Sequence, residues 1–134
     1  MNLAMRSGGP AEHDLVIGSY MRHQATAAGM RLPHIEDGAR RLMTRLLAKP
    51  GLGVRLAVDA DDNGKVLGLA VLDEPAATLW WVWVRHESQG WGICRALLQD
   101  APSTLRAPWL GRRAWMVARC VGRLVYDPLA LLEV

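Results

Sequence analysis

Residues 79–98, LWWVWVRHESQGWGICRALL, limit what this chain can fold into more than any other stretch. Leu79 to Val84 is an unbroken apolar and aromatic run, rich in β-formers and too short for an independent helix. Arg85, His86, Glu87 and Ser88 interrupt it, Gln89-Gly90-Trp91-Gly92 follows, and Ile93, Ala96, Leu97 and Leu98 then fall at helical spacing. The pattern predicts a strand, a polar loop, a glycine turn and a helix. A helix that starts at such a turn directs several unpaired backbone N–H groups, and its positive dipole end, at one point in space. That point favours phosphate, and glycines let a ligand approach the backbone closely.

The spacing is not a dinucleotide-binding G-x-G-x-x-G, because Arg95 stands where the third glycine would fall. It is not a Walker loop either, since no Gly-Lys-Ser/Thr follows. The stretch resembles motif A of the GNAT acetyltransferases, a strand leading into Q/R-x-x-G-x-G/A, with Gln89, Gly92 and Cys94 at the three defined positions. Cys94 departs from the small Gly or Ala of that pattern. The resemblance implies an acetyl-coenzyme A or coenzyme A co-substrate and no metal. Its pyrophosphate would lie on the backbone amides of Gly90, Trp91, Gly92, Ile93, Cys94 and Arg95, beside Gln89. The backbone of Trp83 and Val84 would pair with the pantetheine arm.

Length and composition agree with one domain spanning residues 1–134. The chain is 51% hydrophobic and 22% charged, the balance of a globular protein. No run approaches the roughly 18 apolar residues of a spanning helix, so no membrane partner is expected. MNLAMRSGGP lacks the apolar core of a signal peptide, and Cys94 and Cys120 make no disulfide framework, so a reduced cytoplasmic setting is expected. The four His have no metal-ligand spacing. A net charge of +3, spread along the chain, is no nucleic-acid footprint.

Along the chain, Asn2 to Met5 reads as a short strand or a loose arm. Pro10, Glu12 and Asp14 open a helix expected over about Ala11 to Ala28, on which Tyr20 and His23 point either into a cleft or to core and surface. Pro33 starts a second helix, with Ile35, Ala39, Leu42, Met43, Leu46 and Leu47 on one face; Pro50-Gly51 stops it. Val54, Leu56 and Val58 alternate as a half-buried strand, Asn63-Gly64 signals a hairpin, and Val66 to Leu72 returns, with Gly68 marking a bulge or a close neighbour. Strict alternation in the next strand would put Trp81 and Trp83 on one face and Trp80 on the other. This order matches the front of the GNAT fold over residues 11–100.

From residue 101 onward the chain diverges. Ala107 to Leu110 is expected as a fifth strand, Arg112 to Arg123 as a helix, and Leu124 to Tyr126 as extended, leaving no room for the family's two final strands. The expected fold is α/β (α+β), a GNAT-like mixed, mainly antiparallel twisted sheet flanked by helices, with a shortened C-terminal part. The resemblance implies an N-acetyltransferase moving an acetyl group to an unidentified small-molecule or protein amine. Candidates for the proton transfers are Glu87, His86 and Tyr126, with Glu74 nearby. Exposed, Trp91 would mark a partner surface; Cys94 reads as a packing residue. The short length, WVWVRHESQGWGICRALL and terminal VYDPLALL are also similar to small GNAT-like proteins of tailed phages and prophages. That likeness suggests an inactive assembly part of a phage particle as the alternative, found in host cytoplasm or virion. Residues 124–134 are expected to be buried, in part by a second copy or a phage structural partner.

Overall fold

In the computed structural model, residues 1–25, 33–108 and 117–134 are described. Six strands form one sheet in sequential order: β1 (Leu3–Ser7), β2 (Leu52–Asp59), β3 (Lys65–Asp73), β4 (Thr78–Val84), β5 (Thr104–Ala107) and β6 (Arg123–Tyr126). The first four pair antiparallel, and β4, β5 and β6 run parallel. Among the described residues it is flanked by α1 (His13–Tyr20), α2 (Pro33–Leu47) and α3 (Ile93–Leu97).

β1 is a true strand, tied to β2 from Leu3↔Asp59 to Ser7↔Arg55. Glu12 secures the turn after it, accepting from the Gly9 N–H at 2.8 Å and from Arg6 at 2.7 Å. These two partners, the Gly9 N–H first, hold the Glu12 carboxyl below its ordinary range. The expected first helix opens as a 3-10 turn at Pro10–Glu12 and passes from α1 into a π turn, Met21–Ala25; residues 26–28, expected within it, lie outside the described residues. Met43, Leu46 and Leu47 of α2 are buried as their spacing requires.

The core has two layers, one on each side of the sheet. On one, Val16 and Ile17 of α1 and Met43 and Leu46 of α2 meet Leu56, Leu69, Trp80, Trp81 and Trp83. On the other, Ile93 and Leu97 of α3 meet Ala57, Leu67, Ala70, Leu79 and Val82. β2 is therefore covered on both faces: Ala57, expected on a solvated side, is fully buried.

Strict alternation fails in β4. Val71 pairs with Trp81 and Leu72 with Leu79, so Trp80 is an extra residue in a β-bulge. The bulge corrects the expected facing, because Trp80 packs in the same layer as Trp81 and Trp83. Gly68 answers both readings of its position. The β2–β3 register slips beside it, and a Cβ there would lie 2.8 Å from the Trp83 carbonyl and 3.0 Å from Ile93 Cγ2. Only a glycine lets α3 lie this close to the sheet.

The fifth strand covers Thr104–Ala107, not Ala107 to Leu110; Leu105 and Ala107 face the α3 layer while Arg106 reaches Asp127 at 3.1 Å. Of the helix expected over Arg112 to Arg123, residues 112–116 lie outside the described residues; Val117 and Ala118 are helical, but the chain then turns at Arg119 and Cys120, and Arg123 opens β6. Within one chain, the tail expected to be buried with help from a second copy or partner is covered only in part. After a 3-10 segment at Pro128–Glu133, Ala130 is fully buried, but Leu129 (67%), Leu131 (39%) and Leu132 (80%) are exposed. A 3-10 segment gives nearly every third residue one direction, so few of its side chains reach the core.

Candidate active site

β4 is the strand on which the site is built. Its pairing with β3 stays in register as far as Gly68↔Val84, and the Arg85 N–H continues it to the Leu67 carbonyl at 2.7 Å. Antiparallel ladders alternate, so Trp81, Trp83 and Arg85 turn their backbone groups toward β3. Val82 and Val84 turn theirs to the opposite edge. On that edge β5 meets β4 only at Thr78↔Arg106, where the Arg106 N–H donates to the Ala77 carbonyl at 2.7 Å. Among the described residues, the sheet thus opens beyond Thr78 and leaves the Val82–Val84 edge without a strand neighbour. The edge groups expected from Trp83 and Val84 are those of Val82 and Val84.

The chain leaves β4 through a 3-10 turn, His86–Ser88, and enters the glycine turn. Gly90 (φ +88°) and Gly92 (φ +77°) both take left-handed backbone, and Gly92 caps α3. No heavy atom lies within 4 Å of where either Cβ would stand, so the turn faces open space. Gln89 folds back, its amide donating to the Val84 carbonyl at 3.4 Å. Trp91 is 55% exposed. Arg95 is also exposed, whereas Ile93 turns inward and is buried. Arg55 on β2 fixes the far end of α3 by donating to the Leu97 and Gln99 carbonyls at 3.1 and 2.8 Å. A cation there also suits the negative end of a helix.

Cys94 faces away from the open side. It packs against the α3 layer beside Cys120. Burial, then the neighbouring thiol, push its pKa up to about 12, so Cys94 is a protonated packing residue and no nucleophile.

The titratable candidates separate. His86 and Glu87 are exposed in the turn that follows β4, with Lys65 of β3 3.9 Å from Glu87. Glu74 lies past the far end of β3, ion-paired to Arg55, and is not part of this region. Tyr126 stands in β6 opposite Ala107, level with the start of β4, and half exposed. The structure brings His86 and Glu87 to the glycine turn and does not bring Tyr126 there.

On the α1 side, two polar contacts escape a reading of periodicity. Ser19 accepts from Trp81 Nε1 at 3.0 Å while donating to the Val16 carbonyl at 2.8 Å. Trp83 Nε1 donates to His23 Nε2 at 3.1 Å, and the Arg85 guanidinium lies 5.5 Å from the Trp83 ring. Tyr20 meets the Trp81 ring edge-on at 5.3 Å, and burial raises its pKa. Tyr20 is thus a packed residue, and His23 is exposed but engaged. The strand tryptophans beside a polar N-terminal helix were the available signal.

A sequential mixed sheet that opens after its fourth strand, with a glycine turn leading from that strand into a helix, is the fold of the GNAT acetyltransferases. Three solved structures show the likeness. A proposed acetyltransferase from Pyrococcus furiosus matches with TM-score 0.58 at 16% identity over 98% of this chain and 89% of its own. AAC(6')-Iy, solved with the bisubstrate analogue CoA-S-monomethyl-acetylneamine, matches with TM-score 0.52 at 11% identity over 95% and 80%. A ribosomal-protein-alanine N-acetyltransferase from Brucella melitensis matches with TM-score 0.50 at 16% identity over 99% and 87%. No protein-family model matches the chain. No curated protein matches it by sequence. Nothing in these neighbours bears on the phage resemblance. Among the described residues there is no cluster that could hold a metal ion, and no helix is long and apolar enough to cross a membrane.

Proposed function

We propose that this chain is an acyl-coenzyme A-dependent N-acetyltransferase acting on an amine. The observation that carries the reading is the junction of the opened β4 edge with the glycine turn, two backbone surfaces that together fit a long amide-and-phosphate ligand. The fit is supported by the open space at Gly90 and Gly92, and by the analogue held in a neighbour of the same fold. In this reading the backbone groups of Val82 and Val84 pair with the amides of the pantetheine arm. The amides from Gly90 to Arg95 meet the pyrophosphate, with Gln89 fixing the turn to Val84. The bound thioester supplies an acyl carbon already activated toward an amine.

What remains for the chain is orientation and a proton. Holding the amine against the acyl carbon supplies much of the rate, and a backbone N–H of the β4 edge stabilises the developing oxyanion. His86 and Glu87, exposed in the turn between β4 and the glycine turn, receive the amine proton directly or through water. The Trp83 wall, flanked by His23 and Arg85, borders the acceptor side.

Calorimetry and thermal melts with coenzyme A and acetyl-coenzyme A test the reading. A ligand at a hundred times its dissociation constant stabilises the fold by about 2.7 kcal/mol. Gly92→Val should lower affinity at least about tenfold, since its side chain would fill the space before the amides and strain a φ of +77°. Thiol release with a panel of amines then tests turnover, and His86→Ala or Glu87→Gln should shift its pH profile. No heat and no melt shift at millimolar coenzyme A would overturn the proposal.

A further inference from the structure

β6 is the last strand of the sheet among the described residues, and its outward side has a particular symmetry. The Arg123 N–H donates to the Ser103 carbonyl at 2.7 Å and the Asp127 N–H to the Ala107 carbonyl at 2.9 Å. Residues 123, 125 and 127 therefore turn their backbone groups toward β5, and Leu124 and Tyr126 turn theirs outward. Those two positions are related by reflection of the numbering about Val125. An antiparallel copy of β6 centred on Val125 would set the outward groups of Leu124 against those of Tyr126, twice, giving two pairs that each exchange both hydrogen bonds.

The side chains agree with that register. Leu124 packs toward the α3 layer, as does Leu105 opposite it, so Leu124 and Tyr126 share that face of β6. Across the junction, Leu124 of one copy would meet the 48% exposed Tyr126 of the other. On the opposite face Val125 would meet Val125, and Arg123 would meet Asp127. Asp127 already holds Arg106 at 3.1 Å and caps Leu129, and it is only partly buried, so a carboxylate oxygen can take a second cation. Apolar–aromatic and opposite-charge cross-strand pairs are the ones that stabilise antiparallel neighbours. The exposed Leu129, Leu131 and Leu132 follow within the next few residues and would gain cover beside the junction.

The other sheet edge lacks this complement. In β1 the Gly8 N–H donates to Val54 and the Asn2 carbonyl accepts from Ala60, so Leu3, Met5 and Ser7 face outward. Self-pairing about Met5 would set Leu3 against Ser7 and Arg6 against Ala4, with no charge pair across the junction.

We infer that β6 is a self-pairing edge at which two copies of this chain join by a twofold axis through Val125, making one continuous sheet. The occupant is a second copy, because the outward positions, the charges and the apolar pairs are all self-complementary about one residue. The partner copy adds no residue to the glycine turn, so the assembly stands or falls separately from acyl transfer.

Sedimentation equilibrium over a wide concentration range should show a monomer–dimer equilibrium. Arg123→Glu should weaken association at least about tenfold, since it sets two carboxylates against each other twice. Mixing Arg123→Glu chains with Asp127→Arg chains should restore a mixed dimer. Because loss of Asp127 also removes an internal ion pair, cross-linking gives an independent measure. In a Cys94→Ala, Cys120→Ala background, Val125→Cys should form a covalent dimer with oxidised glutathione, which takes up the two electrons; residue 125 faces itself at a closely spaced, non-hydrogen-bonded pair. Leu124→Cys should not cross-link alone and should do so when mixed with Tyr126→Cys. A wild-type monomer at all concentrations, a dimer insensitive to Arg123→Glu, or equal cross-linking at positions 124 and 125 overturns the inference.

Discussion

Replacing Gly68 by alanine tests how α3 is held over the sheet. The new Cβ would stand 2.8 Å from the Trp83 carbonyl oxygen, 3.0 Å from Ile93 Cγ2 and 3.3 Å from Leu97 Cδ1. The first of these is backbone of β4 and cannot withdraw without disturbing the β3–β4 ladder. The other two are the inward side chains of α3, so the helix must lift. Overpacking of this kind costs about 1–3 kcal/mol, against a gain of about 0.4–1 kcal/mol from the stiffer unfolded chain. Gly53→Ala is the control, because its Cβ would make only an ordinary 3.7 Å contact with the Leu72 carbonyl. Urea unfolding with unchanged slope should place Gly68→Ala about 1–3 kcal/mol below Gly53→Ala. Its melting temperature should fall by several degrees. Coenzyme A affinity should fall too, since the glycine turn moves with α3. Equal stability of the two variants would refute the claim that α3 rests on Gly68.

Ser19→Ala removes a fully buried hydroxyl that accepts from Trp81 Nε1, and should destabilise by about 1–3 kcal/mol, read from the same unfolding curves. The Cys94 thiol, raised from 9.0 to about 12 by burial, should make stability depend on alkaline pH. A raised folded-state pKa gives stability that is complete below the unfolded value and is lost as pH rises from about 9 toward 12, at up to about 1.4 kcal/mol per pH unit. Cys94→Ala should remove the part of that slope that begins near 9, leaving the later part from the buried Tyr20 hydroxyl. A slope unchanged in Cys94→Ala would show that the thiol is not desolvated.

The parts of this fold that were legible in the sequence are those fixed by local chemistry. Asn63-Gly64 forces a turn, and both residues do take positive φ, +51° and +72°. The stripe from Met43 to Leu47 can only face a core. The glycine turn and the start of α3 follow from Gly92 and the apolar spacing after it. What escaped depends on partners distant in sequence. Trp80 joins Trp81 and Trp83 because β4 slips by one residue against β3, and nothing within β4 records that slip. Leu105 and Ala107 alternate with Thr104 and Arg106, so β5 carried its own signal, outweighed by the longer apolar run that follows Ala107. In the tail, apolar content does not by itself say what does the covering: among the described residues of its 3-10 segment, one chain fully buries Ala130 alone.

Cys94 shows how the glycine turn can tolerate a departure from the usual small residue. Two surfaces meet at that turn, one facing open space and one facing the sheet, and the backbone decides which side chain goes where. Gly90 and Gly92 lie on the open side, where even a methyl group would intrude and their φ values disfavour one. Cys94, two residues into the helix-start segment, already points toward Cys120 and the inner layer. A thiol there adds packing without entering the space a ligand would need. On the reading proposed above, the space for a ligand is kept clear by the direction of Cys94 rather than by its size. It follows that Cys94→Ala should leave coenzyme A affinity unchanged within about twofold (~0.4 kcal/mol at RT ln 2), while leaving a small void beside Cys120. A large loss of affinity in Cys94→Ala, with unfolding curves unaltered, would mean that the thiol faces the ligand after all.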